Sequence, residues 1–544
     1  MEALALQEAG ELADAEVRLR EALSFAPDRE SILINLSGLL ISQTRFEEAQ
    51  TYCLRAVEIN PYSAEAWLNL GLCRAAEQQS EEAAKCFENV LLHGPRNVMA
   101  HTMLARIHCA AKRYEKAMVH AEQLFELNPQ SAETHRLQGL ALIGLQRFDQ
   151  ALAAHQRALE LAPDWAEAWM GCGNVLCEMR RPEEALNCYE RALVLQPDDA
   201  EIHHNLGNAH GQCGRFDEAI ACYNRALALQ ADSWLSIFNR GFARLALGDY
   251  RAGFADYETR WQTGKQRPHG MTGTLWRGED IQDKRLLVHA EQGFGDMIQF
   301  GRLITEVARR GAHVQLGVHP HLVSLMKSLA GVERVSSSKS DLQPYDFHCP
   351  IMSLPYALGI DLKSLPGEVP YIDVPANYRD KWASRCKMWG RPRVGLAWSS
   401  SEKAPYPVRS MPLRTLQALA SIDAVFVSLQ KEYSDEDRAD LSDMPWLMDM
   451  SSELDDFSDT AALISQLDIV ISVDTVVAHL AGALAKPLWI LLPHVAEWRW
   501  LVDRKDSPWY PSARLFRQPK PGDWNGVVNE MVPMLRKMLD SLHQ

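Results

Sequence analysis

Residues 166–197, AEAWMGCGNVLCEMRRPEEALNCYERALVLQP, are one copy of a pattern that recurs through the first half of the chain. The proline that closes each copy returns every 34 residues, at Pro27, Pro61, Pro95, Pro129, Pro163 and Pro197. Proline cannot continue a helix interior, so each one marks the turn into the next copy. Position 20 is always alanine, at Ala49, Ala83, Ala117, Ala151, Ala185 and Ala219. Position 8 is small, at Ser37, Gly71, Ala105, Gly139, Gly173 and Gly207.

Self-similarity with a period of 34 residues is typical of tetratricopeptide repeats, each a pair of antiparallel helices. The small residue at position 20 allows the two helices of a pair to approach closely. The full copies start at Glu30, Ala64, Val98, Ala132, Ala166 and Ala200. A partial copy precedes them, and a degenerate one follows at Trp234. We therefore predict an α-helical solenoid, a tetratricopeptide-repeat superhelix, over residues 1–263.

Such a solenoid forms a concave groove that usually binds a peptide or a helix. Position 6 of the first helix carries an asparagine in four copies, at Asn35, Asn69, Asn205 and Asn239. This arrangement resembles the asparagine ladder of the eukaryotic O-linked N-acetylglucosamine transferase and predicts an acceptor-protein groove. The middle copies have Met103, Leu137 and Gly171 there, which suits an amphipathic helix better than an extended strand. The alternative is that these asparagines only follow the repeat consensus.

Composition limits the possible functions of the 544-residue chain, which is 47% apolar and has a formal net charge of −15. That charge argues against a nucleic-acid partner, because phosphates need a basic face. The eleven cysteines include no C-x-x-C pair and predict reduced thiols in the cytosol. No window has the ~20 continuous apolar residues of a membrane span, and the first residues do not resemble a signal peptide. We expect a cytoplasmic protein with no membrane partner.

After a linker over residues 264–284, strand and helix patterns alternate in a way that predicts parallel strands with crossover helices. Strands are predicted at residues 285–290, 313–318, 393–398, 425–429, 469–473 and 488–492. We interpret residues 285–390 as a first α/β lobe and residues 391–544 as a second, donor-binding lobe with a terminal helix. Ligands in doubly wound sheets lie at the carboxyl ends of the strands, so the cleft between the lobes is the expected site.

The first candidate loop carries Gly293, Gly295 and Asp296 between a strand and a helix. The glycines allow the backbone to approach a substrate, and Asp296 stands at the helix start, facing the cleft. Alternatively, this carboxylate only caps the helix. The two roles are compatible, because capping fixes the position of the side chain.

The second candidate loop carries Asp474, Thr475 and Val476, with His479 one turn later. A strand ends and a helix begins here, so free backbone N–H groups form a ready anion site for a nucleotide phosphate. His479 is either a ligand contact or a core histidine.

A third loop follows the first strand of the second lobe and carries Ser399, Lys403 and Arg409. Its two cations either neutralise phosphate charge or are merely solvated. Gln430, at a further strand end, is placed to contact a base or a ribose.

Several segments resemble bacterial tetratricopeptide-repeat glycosyltransferases. They are HAEQGFGDMIQF (289–300), VGLAWSS (394–400), RSMPL (409–413), FVSLQK (426–431), DFSDTAALISQLDIVISVDTVVAHLAGALAKP (456–487) and EWRWLVDRKDSPWYPSARLFRQ (497–518). The catalytic half of these proteins is similar to the lipopolysaccharide heptosyltransferases, which have the GT-B fold of two facing Rossmann-like lobes.

The resemblance implies a metal-independent transferase without a cofactor, which uses a nucleotide-sugar as co-substrate. It implies that Asp296 is the catalytic base and that the tract from Asp474 to His479 binds the donor phosphate. Val476 departs from the heptosyltransferase pattern, which often has glycine or serine there.

These features predict a protein O-glycosyltransferase. The resemblance extends to flagellin-modifying enzymes, which implies flagellin as acceptor and a CMP-nonulosonate such as pseudaminic or legionaminic acid as donor. One alternative is a non-catalytic scaffold with a decayed transferase lobe. Another is a transferase that acts on a lipid or polysaccharide. The aromatic and cationic tract from Trp498 to Tyr510 is either packing for the terminal helix or a cleft wall over the donor.

Overall fold

The fold was analysed in a computed structural model that describes residue 6 and residues 9–264, 270–390, 392–400 and 407–542. Two compact units divide the chain at Ala209 and His210. The repeat pattern runs to the end of the first unit and continues into the second, as far as Tyr257.

The repeat region consists of helices in pairs, and the predicted repeat starts are the first residues of helices. The first helices of the pairs are α2 (Glu30–Ser42), α4 (Ala64–Ala76), α6 (Val98–Ala110), α8 (Ala132–Gly144), α10 (Ala166–Glu178), α12 (Ala200–Gln212) and α14 (Trp234–Ala246). The second helices are α3 (Phe46–Ile59), α5 (Ser80–His93), α7 (Tyr114–Leu127), α9 (Phe148–Leu161), α11 (Pro182–Leu195), α13 (Phe216–Leu229) and α15 (Tyr250–Tyr257). Helix α1 (Leu12–Phe25) precedes them. The prediction of repeat helices is confirmed.

Close packing within each pair explains the small residues of the repeat. All six alanines at position 20 are completely buried. A ring from the second helix lies against the glycine at position 8 of the first. A Cβ atom built on Gly71 would be 2.7 Å from the ring of Phe87, and one on Gly173 would be 2.6 Å from the ring of Tyr189.

The second unit contains two parallel sheets. The first has the strand order β1-β5-β2-β3-β4 and the second the order β11-β10-β9-β6-β7-β8, and the neighbouring strands in these orders pair in parallel. The first-sheet strands are β1 (Thr274–Leu275), β2 (Arg285–His289), β3 (His313–Gly317), β4 (Val332–Ser336) and β5 (Phe347–Pro350). The second-sheet strands are β6 (Arg393–Ala397), β7 (Val425–Ser428), β8 (Leu447–Asp449), β9 (Ile469–Val473), β10 (Leu488–Leu492) and β11 (Ala513–Arg517).

Helices alternate with these strands, as expected for an α/β arrangement. They are α16 (Phe294–Arg309), α17 (Val323–Met326), α18 (Leu354–Leu358), α19 (Ala376–Cys386), α20 (Asp435–Ser442), α21 (Phe457–Ser465), α22 (Val476–Ala483) and α23 (Trp524–Leu542). Short 3₁₀ turns include Glu258–Trp261 and Trp498–Trp500. Strand β1 lies within the segment interpreted from the sequence as a linker, and it pairs with β5 at the edge of the first sheet.

The core of the second unit is built from both sheets and from the last repeat helices. Tyr250 and Phe254 of α15 pack in the same buried cluster as Phe300 of α16 and Trp509. Within the described ranges, no helix is long and apolar enough to span a bilayer.

Candidate functional site

Asp296 lies in the first turn of α16, directly after the loop that follows β2. Gly293 precedes the helix, and its backbone N–H donates to Asp296 Oδ2 at 2.9 Å. The side chain therefore caps the helix and is held at the carboxyl end of the first sheet. The sequence left a capping role and a site role open, and this geometry is compatible with both.

The other oxygen of Asp296 accepts a charged hydrogen bond from Arg499, which lies far along the sequence in a 3₁₀ turn. Arg499 also binds Glu497, and its Nε donates to Gln299 Oε1 at 2.5 Å. The exposed fractions of the Asp296 and Arg499 side chains are 14% and 8%. Burial raises the pKa of Asp296 above its ordinary value, while Arg499 opposes that shift. Titratable groups with shifted pKa values in such an environment are common at functional sites, which makes this carboxyl a candidate site residue.

Asp474 follows strand β9 at the carboxyl end of the second sheet. Its Oδ2 forms an ion pair with Arg409 at 3.2 Å, and its Oδ1 lies 3.9 Å from His479 Nε2. The side chain of Asp474 is 2% exposed. Burial opposes the charge of Arg499, but Glu497, Asp296 and, to a smaller extent, Asp474 together raise the pKa of Arg499 above its ordinary value. The charged groups from the two loops therefore form one cluster.

His479 is buried on α22 and connects the two loops by packing. Its Nδ1 lies 2.9 Å from the Tyr510 hydroxyl, and its ring stacks on Trp500 at 5.5 Å between centroids. Burial, followed by the positive charges of Arg499 and Arg409, holds its pKa well below the ordinary value, so the imidazole is neutral at pH 7. A Cβ atom on Gly295 would be 2.8 Å from the ring, so the glycine allows this approach. The geometry is that of a core histidine beside the site.

Thr475 and Val476 form the start of α22 and are half-buried. The Thr475 carbonyl accepts the N–H of Ala478 at 3.1 Å, while the Thr475 hydroxyl lies 3.0 Å from the Ser472 hydroxyl. The N–H groups of a helix start are suited to an anion. Thr475 and Val476 thus lie at the helix start, and the phosphate contact expected there stays a prediction.

Two further predicted donor residues, Ser399 and Gln430, lie just after β6 and β7. The Ser399 N–H donates to Gln430 Oε1 at 3.4 Å, which brings these two residues together. Lys403 lies outside the described residues. Trp498, Trp500, Trp509 and Tyr510 are almost completely buried, so this tract packs in the core. Arg499 and Glu497 from the same tract complete the charged cluster, a role that the sequence analysis did not assign.

A separate pocket of about 410 Å³ opens beside Gly293, at the carboxyl ends of β2, β3 and β4. Apolar side chains such as Phe294, Met297 and Leu322 form much of its lining. Its polar lining includes Lys339, His289 and three consecutive serines, Ser336, Ser337 and Ser338. The pocket is therefore adjacent to the helix that carries Asp296.

In the first unit, Asn35 and Asn69 line a shallow pocket of about 240 Å³ on the repeat surface. The Asn69 amide already donates to the Ile34 carbonyl at 3.1 Å and to the Ser37 hydroxyl at 3.0 Å. Asn205 is half-buried in α12, and Asn239 lies on α14 in the second unit. Of the four predicted groove residues, Asn35 and Asn69 thus lie together in one pocket. Among the residues that the structure describes, no cluster of histidine, cysteine and acidic side chains is arranged to hold a metal ion.

Models of the tetratricopeptide repeat family match residues 6–73, 74–141 and 200–233, and a TPR repeat model matches residues 173–214. The N-terminal half carries tetratricopeptide repeats. These repeats typically mediate binding between proteins.

The chain is also similar to Protein FlbA of Caulobacter vibrioides, with 25% identity over 329 residues. The match covers 55% of this chain and 54% of the relative, so this chain spans about half the length of the curated relative it matches. Because 55% of 544 residues exceeds the 263 residues of the predicted repeat region, the match includes part of the α/β half.

Similarities to solved structures were also found. The APC/C hetero-tetramer Cut9-Hcn1 has 16% identity and a TM-score of 0.39, over 44% of this chain and 48% of that one. A tetratricopeptide repeat protein from Parabacteroides merdae has 14% identity and a TM-score of 0.38, over 44% of this chain and 96% of that one. The thermophilic TPR protein TTC0263 from Thermus thermophilus has 24% identity and a TM-score of 0.32, over 34% and 100%.

Proposed function

We propose that this protein is a glycosyltransferase that moves a sugar from a nucleotide-sugar to a serine or threonine hydroxyl of a protein bound by the repeats. The observation that carries the proposal is the charged cluster at the carboxyl ends of two parallel sheets. It combines Asp296, a partly buried carboxylate with a raised pKa, with the Asp474–Arg409 pair at the start of α22. Ligands of doubly wound sheets bind at this edge.

The chemistry assigned to the cluster needs one base and one anion site. Asp296 takes the proton of the acceptor hydroxyl while the oxygen of that hydroxyl forms the new bond to the anomeric carbon of the sugar. The bond from that carbon to the donor phosphate breaks, and its electron pair leaves with the phosphate. The N–H groups of Thr475 and Val476 and the Arg409 guanidinium stabilise this charge without a metal. A carboxylate oxygen can accept more than one hydrogen bond, so the contacts with Gly293 and Arg499 do not exhaust the acceptor capacity of Asp296.

The finer identity of the substrates rests on the family resemblance. On that basis the donor is a CMP-nonulosonate, the acceptor is flagellin and the reaction takes place in the cytoplasm. The presence of repeats is consistent with a protein acceptor, because this fold binds peptides and helices. A transferase for lipid or polysaccharide acceptors has no comparable need for them.

The first experiment is a thermal-shift panel with CMP, UDP, GDP and ADP on wild type and on Asp474→Ala. A ligand at 100 times its dissociation constant stabilises the folded state by about 2.7 kcal/mol. Stabilisation by CMP alone, lost in the variant, supports a nonulosonate donor. Stabilisation by another nucleotide retains the transferase and rejects this sugar class, whereas no stabilisation by any of the four contradicts the donor site.

The second experiment measures transfer by intact-protein mass spectrometry, with purified flagellin and CMP-pseudaminic acid. Asp296→Asn removes the base and is expected to abolish the mass increase. Asp380→Asn, an exposed position on α19, is the matched control and is expected to transfer at the wild-type rate. If Asp296→Asn and wild type both bind the acceptor and neither modifies it, a non-catalytic scaffold becomes the better explanation.

A further inference from the structure

We propose that Arg260 and Tyr257, at the end of the repeat region, are positioning residues for the loop that carries Asp296. This inference rests on the proposed function, because it assigns their role through that candidate base. The two side chains belong to α15 and to the 3₁₀ turn that follows it. Both reach the loop between β2 and α16.

Arg260 is completely buried and binds the loop through Glu291. Its Nε and one terminal nitrogen donate to the two Glu291 oxygens at 2.6 and 2.8 Å. The same guanidinium donates to Glu258 Oε1 at 2.6 Å and to the Ser353 hydroxyl at 2.6 Å. A bidentate arginine–carboxylate pair fixes direction as well as distance. Arg260 therefore connects three parts of the chain: the repeat end on which it lies, the β2 loop through Glu291, and the turn after β5 through Ser353.

Tyr257 holds the next residue of the same loop. The Gln292 amide donates to the Tyr257 hydroxyl at 2.8 Å, and the Tyr257 ring is buried. Gly293 follows directly, and its N–H is the group that binds Asp296 Oδ2. An unbroken series of contacts thus leads from Arg260 and Tyr257, through residues 291–293, to the candidate base.

The arrangement has features that simple stabilisation does not require. Removing an arginine and two carboxylates from water is costly, and apolar side chains of similar volume often give equal or greater stability. Burial raises the pKa of Glu291, and Arg260 opposes that effect. The hydrogen bonds of Arg260 and Tyr257 instead hold Glu291 and Gln292, the two residues that directly precede Gly293. This is the geometry expected where the position of a loop must be held accurately.

The consequence is that the end of the repeat region forms part of the support of the candidate active site. A misplacement of about 1 Å in a reacting group can reduce turnover about 100-fold. Loss of either contact should therefore change kcat more than KM, because Arg260 and Tyr257 bind the supporting loop and not a substrate. It should also admit water to Asp296, lower its raised pKa and move the acid limb of the kcat profile to lower pH.

The test compares the full-length variants Tyr257→Phe and Arg260→Lys with the control Arg240→Lys. Arg240 lies on α14, and its side chain forms a bidentate ion pair with Asp256 at 2.8 and 2.9 Å and donates to Asn224 at 2.8 Å. Hydrogen exchange is measured for the amides of residues 289–297, and kcat, KM and the pH profile are measured by transfer. Tyr257→Phe removes one hydroxyl only, so the folded state is expected to persist.

We expect faster exchange in this segment for both variants, a kcat at least about tenfold lower with KM nearly unchanged, and an acid limb shifted to lower pH. The control should match wild type in all three measurements. Unchanged exchange at residues 289–297 overturns the inference, whether or not the protein transfers sugar. In an active protein, a kcat loss no larger than that of Arg240→Lys overturns it as well. Absence of transfer by wild type contradicts the proposed function alone, because the exchange measurement still decides the positioning role.

Discussion

At the scale of single residues, the candidate site requires a glycine at position 295. Gly295 lies against the ring of His479, which itself is held by Tyr510 and Trp500. These neighbours are buried and have little room to move. The glycine is thus needed for the close approach of the two loops, and the nearby Gly293 has no such constraint.

We predict that Gly295→Ala destabilises the protein by about 1–3 kcal/mol, because the new methyl group would overlap the imidazole. The same displacement should separate Asp296 from Arg499 and reduce transfer. Chemical unfolding followed by circular dichroism gives the change in the free energy of unfolding. Gly293→Ala is the control, since its Cβ would meet only Asp296 Oδ2 at an ordinary 3.6 Å. Equal unfolding free energies for the two variants would show that this contact carries no strain.

The charged pairs of the site could not be predicted from the sequence. Asp296 and Asp474 were identified because each follows a buried strand and begins a helix, which is a local signal. Arg499 lies 203 residues from Asp296, and Arg260 lies 31 residues before Glu291. No local pattern links such pairs, because they meet only when the sheets and the repeat end pack together.

At the scale of elements, the repeats were predictable to the residue and the sheets only in part. Close packing at fixed positions leaves a strict 34-residue pattern, so the helix starts coincide with the predicted repeat starts. The six strands found from the sequence include every central strand except β5. The other four that were missed, β1, β4, β8 and β11, are edge strands. Edge strands have weaker apolar runs, as the sequence VERVS of β4 illustrates.

The contact between ring and glycine gives a prediction for the repeat helices. Gly173→Ala would place a methyl group 2.6 Å from the buried ring of Tyr189, so we expect a loss of about 1–3 kcal/mol in unfolding free energy. Gly38→Ala, inside α2, meets only the Asn69 amide at 3.6 Å. Relief of glycine entropy should make this control neutral or stabilising by up to about 1 kcal/mol. Urea denaturation of both variants measures these changes in unfolding free energy. If Gly38→Ala destabilises the protein as much as Gly173→Ala does, the packing argument is contradicted.

At the scale of the whole molecule, the first unit contains histidines that resist protonation. His155 is completely buried between Gly139 and Gly171, and among the described residues neither ring nitrogen has a hydrogen-bond partner. Burial, aided by the charge of Arg136, lowers its pKa to about 4. Burial also lowers the pKa of His120 to about 4, with a contribution from His101, whose Nδ1 lies 3.0 Å from His120 Nδ1.

These shifts predict that acid destabilises the repeats. An unfolded histidine binds a proton below about pH 6.5, while the folded side chains do so only near pH 4, so the unfolded state holds more protons in between. Stability is therefore complete above about pH 6.5 and falls as the pH drops towards 4. For His155 alone, the free energy of unfolding is expected to fall by about 2 kcal/mol between pH 7 and pH 5.

The variant His155→Phe separates this effect from general acid denaturation. Phenylalanine fits the position, since Phe87 occupies it against Gly71 in another repeat. The change removes two buried nitrogens without partners and should stabilise the protein by about 1–3 kcal/mol at pH 7. It should also reduce the difference in stability between pH 7 and pH 5 by about 2 kcal/mol.

Native-state hydrogen exchange of α9, measured at both pH values, gives the local free energy of opening. His93→Gln, at an exposed position, is the control and should keep the wild-type difference. An unchanged difference in His155→Phe would mean that this histidine is already protonated in the folded repeat.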